Sequence, residues 1–565
     1  MKSSNDKKIK DTGQQSPVGK WAWVILTVVI LLAAVIRMRL APIPFERDEG
    51  EYAYAGQIIL QGIPPYEKVY NMKMPGIYAA YALLLAIFGQ THTGIHIGLI
   101  FINIATIVLV FILAKKLFDP LVGLFAGSAF ALLSAGKNIQ GFTANAEHFV
   151  ILPALAAIVI LLKTVNSRKY LPVFASGLLL GLAFMMKQHG AAFIIFAALY
   201  LFASEVQLRP FNWRPFIAKV VLFPTGVFLP FGLTCLILWK LGVFERFWFW
   251  TFDYAKHYVS LVPLQYAILN FKREFPPILS SSICLWALAV IGFFCLFRVN
   301  RFREKSLFVI VFLIFSFLSV CPGFYFRPHY FILFLPAVSL LIGVGAVFVW
   351  ETFTCHKSSL SAKVMPLILT SAIFFFTLYQ QWDYFFTSAP MDIARNFYGG
   401  NPFPESLEIA RFIKQNSQKD DTVAIIGSEP QICFYSKRLS ATSYVYVYPL
   451  MEPHPYAVKM QEEMIGEIES ASPRFLIFVN VYTSWLTTPS SDRKIFNWFN
   501  RYSSFYHIVG IVDIISSTQT VYRWGTETAD YSPRSRSWLI ILQRNRESDV
   551  NTVLPANGET TGVAK

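Results

Sequence analysis

The sequence predicts a polytopic α-helical membrane protein with an α/β domain at its C-terminal end. Three observations predict it. Of 565 residues, 55% are hydrophobic and only 15% charged, whereas soluble proteins carry about a quarter charged residues. Apolar runs close to the roughly 20 residues that cross a bilayer as a helix recur from residue 21 to 381. From about Ser388 onward Asn, Asp, Glu, Lys and Arg return, and the pattern changes to short alternating elements.

The apolar runs lie near 21–40, 94–114, 120–136, 147–163, 171–186, 190–204, 219–241, 276–297, 306–322, 329–350 and 364–381, about eleven spans. The N-terminal segment MKSSNDKKIKDTGQQSPVGK is basic, and no small-residue cleavage pattern follows its apolar run. It reads as a cytoplasmic tail, residues 1–20, before an uncleaved first helix. With the N-terminus inside, the cytoplasmic breaks hold Lys115 and Lys116, then Lys163, Arg168 and Lys169, then Arg209, Arg214 and Lys219. Further along they hold Arg298, Arg301, Arg303 and Lys305, then Lys357 and Lys363, as the positive-inside rule requires. An odd number of spans puts the first polar loop and the C-terminal region outside. The net charge of +15 therefore reads as topology and not as a nucleic-acid footprint. Six scattered cysteines give neither a disulfide framework nor a CxxC zinc site.

The segment from Pro75 to Gly89 is short for a span and is expected to lie in the outer interface. Gly177 and Gly181 permit close helix contact. The aromatic stretch WFWTFDYAKHYV, 248–259, reads as an interfacial belt and a lid over a lipid groove. Beyond residue 388, Leu407, Ile409, Ala410, Phe412 and Ile413 suit one side of a helix, and 456–471 reads as a second helix. The stretches 423–427, 475–481, 507–515 and 537–543 read as strands. The expected units are the tail 1–20, a transmembrane domain 21–387 with an outer loop 41–93, an extracytoplasmic α/β domain 388–546, and a disordered tail 547–565. Gly427 after a strand lacks the rest of a dinucleotide fingerprint.

The chemistry concentrates in FERDEGEYAYAGQIILQGIPPYEKVYNMKMPGIY, 45–78. Charge beside hydrocarbon is costly and is usually kept for a function. Asp48 and Tyr52 stand at i and i+4, with Glu49 directed elsewhere. Asp48 is the choice for a base that accepts a hydroxyl proton, the alternative being a solvated or interfacial ion pair with its neighbours. Lys73 can hold phosphate as a point charge, or snorkel. Glu147 opens a span, where binding or capping would suit it. Lys187 lies on the outer side against the positive-inside trend, which favours a phosphate role. Arg327, His329 and Tyr330 can gather round an anionic head group. His329 is equally open to metal binding or a plain interface role, though no HExxH motif supports a metal.

In order, RDEGEYAYAGQIILQGIPPYEKVYNMKMPGIY, NAEHFVILPALAA, MKQHG and RPHYFILFLPAVSLL resemble the bacterial glycosyltransferase family 39 proteins. These have the GT-C fold and are related to protein O-mannosyltransferases and to the lipid A aminoarabinose transferase. The resemblance covers roughly residues 20–350. It implies transfer of a sugar, with inversion, from a polyprenyl-phosphate donor outside the membrane. Asp48 matches the catalytic carboxylate of the family's DE motif and Glu49 the second acid. Lys73 matches the lysine of a usual KPP that binds the donor phosphate, and Glu147 matches a second acidic position approximately. Met74 replaces the first proline, and Met72 stands where the aminoarabinose transferases carry a metal-binding Glu, which argues against that zinc site.

The combined reading is an inverting glycosyltransferase of the bacterial inner membrane. Asp48 and Glu49 are its catalytic acids, and Lys73, Lys187 and Arg327 hold the donor phosphate. Tyr52, Glu147, His329 and Tyr330 contact donor or acceptor. Its partners are a polyprenyl-phosphate-linked sugar, membrane lipids and a lipid, glycan or protein acceptor, with no nucleic acid and no cofactor. A transporter or lipid flippase predicts charges near mid-span and inverted repeats, whereas here charges gather in loops and no repeat is visible. A non-catalytic envelope scaffold is the third reading.

Overall fold

The computed structural model describes residues 17–164, 169–207, 211–354 and 360–545. Residues 1–16 of the expected tail 1–20, the expected tail 547–565, and Arg168, Arg209 and Lys357 lie outside the described residues, and residues 17–20 are instead the first turn of a helix. The chain forms two compact units. The first comprises residues 1–42, 96–236 and 258–388, and the second comprises 43–95, 237–257 and 389–565.

Each of the eleven apolar stretches contains a helix. Among the described residues six helices are long and apolar enough to cross a membrane, and several shorter apolar helices stand beside them. The protein is a mostly helical, multi-pass membrane protein with a small C-terminal sheet domain. The stretch expected as one span at 276–297 is not a single helix. Leu264–Ser280 and Ile283–Arg298 meet at an angle of 102°. Pro276 and Pro277 remove two amide donors, and the N–H groups of Ser281 and Ser282 turn back to Pro277 and Leu279 (3.3 and 3.2 Å), closing the first helix. The span expected from 329 begins instead at Leu335, because Pro328–Leu333 is a 3₁₀ segment following a left-handed Phe326 (φ 49°).

Helix packing in the first unit depends on close backbone approach. A Cβ on Gly177 would strike the carbonyl of Phe223, and one on Gly181 that of Val227, so helix Leu171–Met186 lies directly on Trp213–Lys240. The first helix, α1 (Pro17–Leu40), is tied at its end by Arg39, which donates to the carbonyls of Tyr384 and Phe385 (3.1 and 3.2 Å) and of Ser388.

The second unit joins the first polar loop to the C-terminal domain. Its loop part contributes α2 (Arg47–Ile59) and α3 (Pro75–Phe88), the latter opened by Pro75 in its first turn. The domain holds one mixed sheet of order β2-β1-β3-β6-β4-β5. Its strands are β1 (Thr422–Ile426), β2 (Leu439–Ser440), β3 (Phe475–Asn480), β4 (Tyr506–Ile514), β5 (Thr520–Trp524) and β6 (Trp538–Arg544). β1 pairs in parallel with β2 and β3, and β6 runs antiparallel between β3 and β4. The apolar strands β1 and β3 are buried as continuous runs should be, and helices Glu405–Gln415 and Ala457–Ala471 form where expected. Residues 248–257 of the stretch read as an aromatic belt belong to this unit: Trp250 and Tyr254 are buried, Trp250 stacks on Tyr70, and Tyr254 donates to Glu452.

Loop and domain interlock at short range. Gly50 of α2 lies against Gln431, where an added Cβ would come within 2.8 Å of the Gln431 Cβ and 2.9 Å of its amide nitrogen. The hydroxyl of Tyr435 accepts from the Phe45 N–H (2.9 Å), and that of Tyr54 from the Ser440 N–H (2.8 Å).

Candidate active site

The residues expected to carry chemistry fall into two clusters, one in each unit. The first is built at the start of α2. Glu46 caps that helix, its carboxylate accepting from the N–H groups of Asp48 (3.0 Å) and Glu49 (3.2 Å). Burial, then the nearby Asp48 and Glu49 charges, hold the Glu46 acid well above the ordinary carboxylate range despite those two donors.

One residue further, Asp48 stays partly open, with 19% of its side chain exposed. Its Oδ1 accepts from Lys73 Nζ at 3.0 Å and from the Tyr446 hydroxyl at 3.1 Å. Tyr52, one turn on, is buried, and its ring centre lies 5.4 Å from Lys73 Nζ, so Asp48 and Tyr52 share a face as the i, i+4 spacing requires. Glu49 is buried on another side of the helix. The Lys73 backbone is fixed by the Tyr66 hydroxyl, which donates to its carbonyl at 2.6 Å.

Two further carboxylates support the cluster. Glu51 is fully buried and accepts from Tyr78 (2.5 Å) and Asn71 (2.7 Å). Burial pushes its acid up to about 7, with Lys73 pulling the other way and Asp48 adding to the rise. Glu429 pairs with Arg47 at 2.6 Å, both side chains being buried, and Arg47 Nε donates to the Ser428 carbonyl at 2.8 Å.

The second cluster, in the first unit, gathers Glu147, Lys187 and Tyr330. Lys187 Nζ lies 2.5 Å from Glu147 Oε1 and 4.0 Å from the centre of the Tyr330 ring. Glu147 sits in the first turn of helix Ala146–Thr164 and is completely buried, while Lys187 follows the end of Leu171–Met186 and keeps 13% of its side chain exposed. His329 packs edge-on to Tyr330 and bonds through Nδ1 to Gln140 Oε1 at 2.6 Å. The Arg327 guanidinium lies 5.6 Å from the Tyr325 ring centre.

Tyr446 and Glu429 went unread in the sequence, as did the capping role of Glu46. The residues present do not fit a zinc site of the aminoarabinose-transferase kind. Met72 offers a thioether where a carboxylate would be needed. Among the described residues no three His, Cys, Asp or Glu side chains come together as a ligand set.

The structure is similar over nearly its full length to solved membrane glycosyltransferases. ArnT from Cupriavidus metallidurans, solved with undecaprenyl phosphate, matches with a TM-score of 0.56 at 14% identity, over 93% of this chain and 98% of that one. The Archaeoglobus fulgidus oligosaccharyltransferase AglB, solved with an inhibitory peptide and a dolichol-phosphate, matches with a TM-score of 0.52 at 12% identity, over 92% and 76%. The chain has the GT-C fold. A third GT-C match is the mycobacterial arabinofuranosyltransferase AftD, with a TM-score of 0.50 at 10% identity, over 94% of this chain and 40% of that one. Residues 73–231 match the sequence profile of the dolichyl-phosphate-mannose-protein mannosyltransferase family, a region that begins at Lys73 and takes in Glu147 and Lys187. No curated protein sequence matches the chain. The expected GT-C architecture and the family 39 resemblance are thus borne out.

Proposed function

We propose that this GT-C protein is an inverting glycosyltransferase that moves a sugar from a polyprenyl-phosphate donor to a lipid, glycan or protein acceptor at the outer face of the bacterial inner membrane. The observation that carries this reading is the contact of Lys73 with Asp48, a cation and a carboxylate paired at 3.0 Å yet both partly open to solvent. A pair that is to receive a phosphate and an acceptor hydroxyl must be reachable, and both members of this one are.

The reaction is a single displacement. The acceptor oxygen attacks the anomeric carbon while the bond from that carbon to the phosphate oxygen breaks. The polyprenyl phosphate leaves with the bonding electrons, and Asp48 takes the acceptor proton. Lys73 steadies the charge that grows on the phosphate, so the leaving group needs no proton. The donor's phosphodiester, which carries a single negative charge, competes with Asp48 for the ammonium of Lys73, and the second charge develops as the sugar leaves. Tyr52 is assigned to a donor or acceptor contact, and Lys187 with Glu147 and Tyr330 forms a separate candidate phosphate and ligand cluster in the other unit, near which Arg327 and His329 stand in the chain.

The likeness of the chain to proteins solved with undecaprenyl phosphate and dolichol-phosphate supports this donor class. The test is turnover by the full-length protein in membranes of its own host, using undecaprenyl-phosphate mannose, arabinofuranose and aminoarabinose as probes. Release of undecaprenyl phosphate with transfer of label to an envelope component supports the proposal. Absence of release from every probe, with the protein folded, overturns it.

A further inference from the structure

We propose that Tyr446 of the C-terminal domain is a positioning residue for the carboxylate of Asp48, and that the Ser428–Glu429 dipeptide holds the two in register. This deepens the functional reading above and rests on it.

The geometry is specific. The Tyr446 hydroxyl donates to Asp48 Oδ1 at 3.1 Å, the same oxygen that receives Lys73 Nζ at 3.0 Å. These donors arrive from different parts of the chain, Lys73 from the loop before α3 and Tyr446 from a segment almost 400 residues after Asp48. A phosphate can compete for the ammonium of Lys73. It has a weaker hold on a neutral phenol, so Tyr446 still donates to this oxygen when Lys73 is drawn away. A carboxylate held less firmly samples other rotamers, and misplacement of a reacting group by about 1 Å can cost about 100-fold in rate.

The dipeptide before helix Pro430–Ser436 anchors both partners. On one side, Glu429 pairs with Arg47 at 2.6 Å and the Ser428 carbonyl accepts from Arg47 Nε at 2.8 Å, which fixes the residue directly before Asp48. On the other, Ser428 Oγ accepts from the Val447 N–H at 3.0 Å and donates to the Ser484 carbonyl at 2.7 Å, which fixes the residue directly after Tyr446. The Tyr446 ring packs edge-on to Tyr448 at 4.8 Å, and the Tyr448 hydroxyl is itself committed to the Thr483 carbonyl at 2.5 Å. Both sides of the Asp48–Tyr446 contact are thus referred to the same two residues.

A hydroxyl that donates to a carboxylate favours its ionised form. Removing it raises the pH at which Asp48 becomes a competent base. The carboxylates that also bear on this site are Glu46, Glu49, Glu51 and, through Arg47, Glu429, and the nearby phenols are Tyr78, Tyr81 and Tyr448. The cations are Lys73 and Arg47. All of these remain in a Tyr446→Phe protein, so a shift between it and the wild type belongs to the one hydroxyl.

The test is the pH profile of transfer by full-length Tyr446→Phe in host membranes, with the undecaprenyl-phosphate sugar that the wild type turns over. The expected result is a kcat about 10- to 100-fold lower, little change in donor KM, and an acid limb moved to higher pH. Tyr448→Phe is the packing control, and its acid limb should stay in place. If Tyr446→Phe does not fold, 3,5-difluorotyrosine at 446 keeps the ring and makes the hydroxyl a stronger donor, and the limb should move to lower pH. A wild-type kcat and an unmoved limb overturn the role of Tyr446. Wild-type transfer by Asp48→Asn overturns the functional reading beneath it, so the two failures are distinguishable.

Discussion

Lys73 Nζ stands 3.0 Å from Asp48 Oδ1, bringing together two residues 25 positions apart in the chain. The helix cap supplied by Glu46 aims one partner, and the Tyr66 hydroxyl on the Lys73 carbonyl aims the other. If Lys73 serves the donor phosphate, Lys73→Ala should weaken binding of undecaprenyl phosphate by at least about 10-fold, the scale of one charge-assisted hydrogen bond. Lys73→Arg should recover part of that loss. Equilibrium binding of the labelled lipid to the purified protein reads both, and undiminished binding by the alanine variant contradicts the assignment.

Glu429 gives a stability prediction. Its carboxylate is fully buried against Arg47, and removing one member of a buried pair costs about 3–5 kcal/mol because the other charge is left uncompensated. Glu429→Ala should therefore lower the unfolding midpoint sharply. Arg47→Met combined with Glu429→Leu should restore much of it, since no buried charge then remains. Thermal unfolding in a single detergent checks the ordering.

Glu51 gives a pH prediction. In the folded protein its acid is pushed up to about 7, chiefly by burial, from an ordinary value of 4.5. The folded state therefore binds this proton more tightly than the unfolded chain does. The stabilisation is complete below about pH 4.5 and is lost as pH rises through about 7. Across that window the wild type should lose about 3 kcal/mol relative to Glu51→Gln, which cannot titrate. Unfolding midpoints of both proteins from pH 5 to 8 test this, and parallel curves would contradict it.

Lys187 lies on the ring of Tyr330 and against the fully buried Glu147. Lys187→Met should lower stability by leaving that carboxylate unpaired, and Glu147→Gln in the same chain should recover it. If Lys187 also serves phosphate, the double variant should fold normally yet bind undecaprenyl phosphate weakly. Measuring the melting point and the lipid affinity of one preparation separates the two roles.

Much of this fold is legible in the chain because apolar runs of membrane length have few alternatives. The break between Ser280 and Ile283 is masked in the sequence because the runs on both sides are apolar. Its signal was local, in the adjacent Pro276 and Pro277 and the three serines that follow. β5 leaves little trace in the sequence because it is a half-exposed edge strand without a clean alternation. Helix Lys494–Tyr502 is absent from the sequence expectation, although Ile495, Trp498, Phe499 and Tyr502 repeat at helical spacing and are its buried residues.

At the candidate site, Asp48 and Lys73 were visible because both stand in one short charged loop. Glu429 and Tyr446 were not, because nothing local distinguishes them. Tyr446 is one of several tyrosines in its stretch, and Glu429 follows a strand as many surface acids do. Their significance arises only when the C-terminal domain folds against the loop.

The most direct measurement is transfer of label from an undecaprenyl-phosphate sugar by Asp48→Asn, a substitution that preserves shape and removes the base. Transfer should fall by about 10²- to 10⁴-fold, with undecaprenyl phosphate still bound and the unfolding midpoint close to that of the wild type. Transfer at the wild-type rate by a folded Asp48→Asn protein would contradict the account.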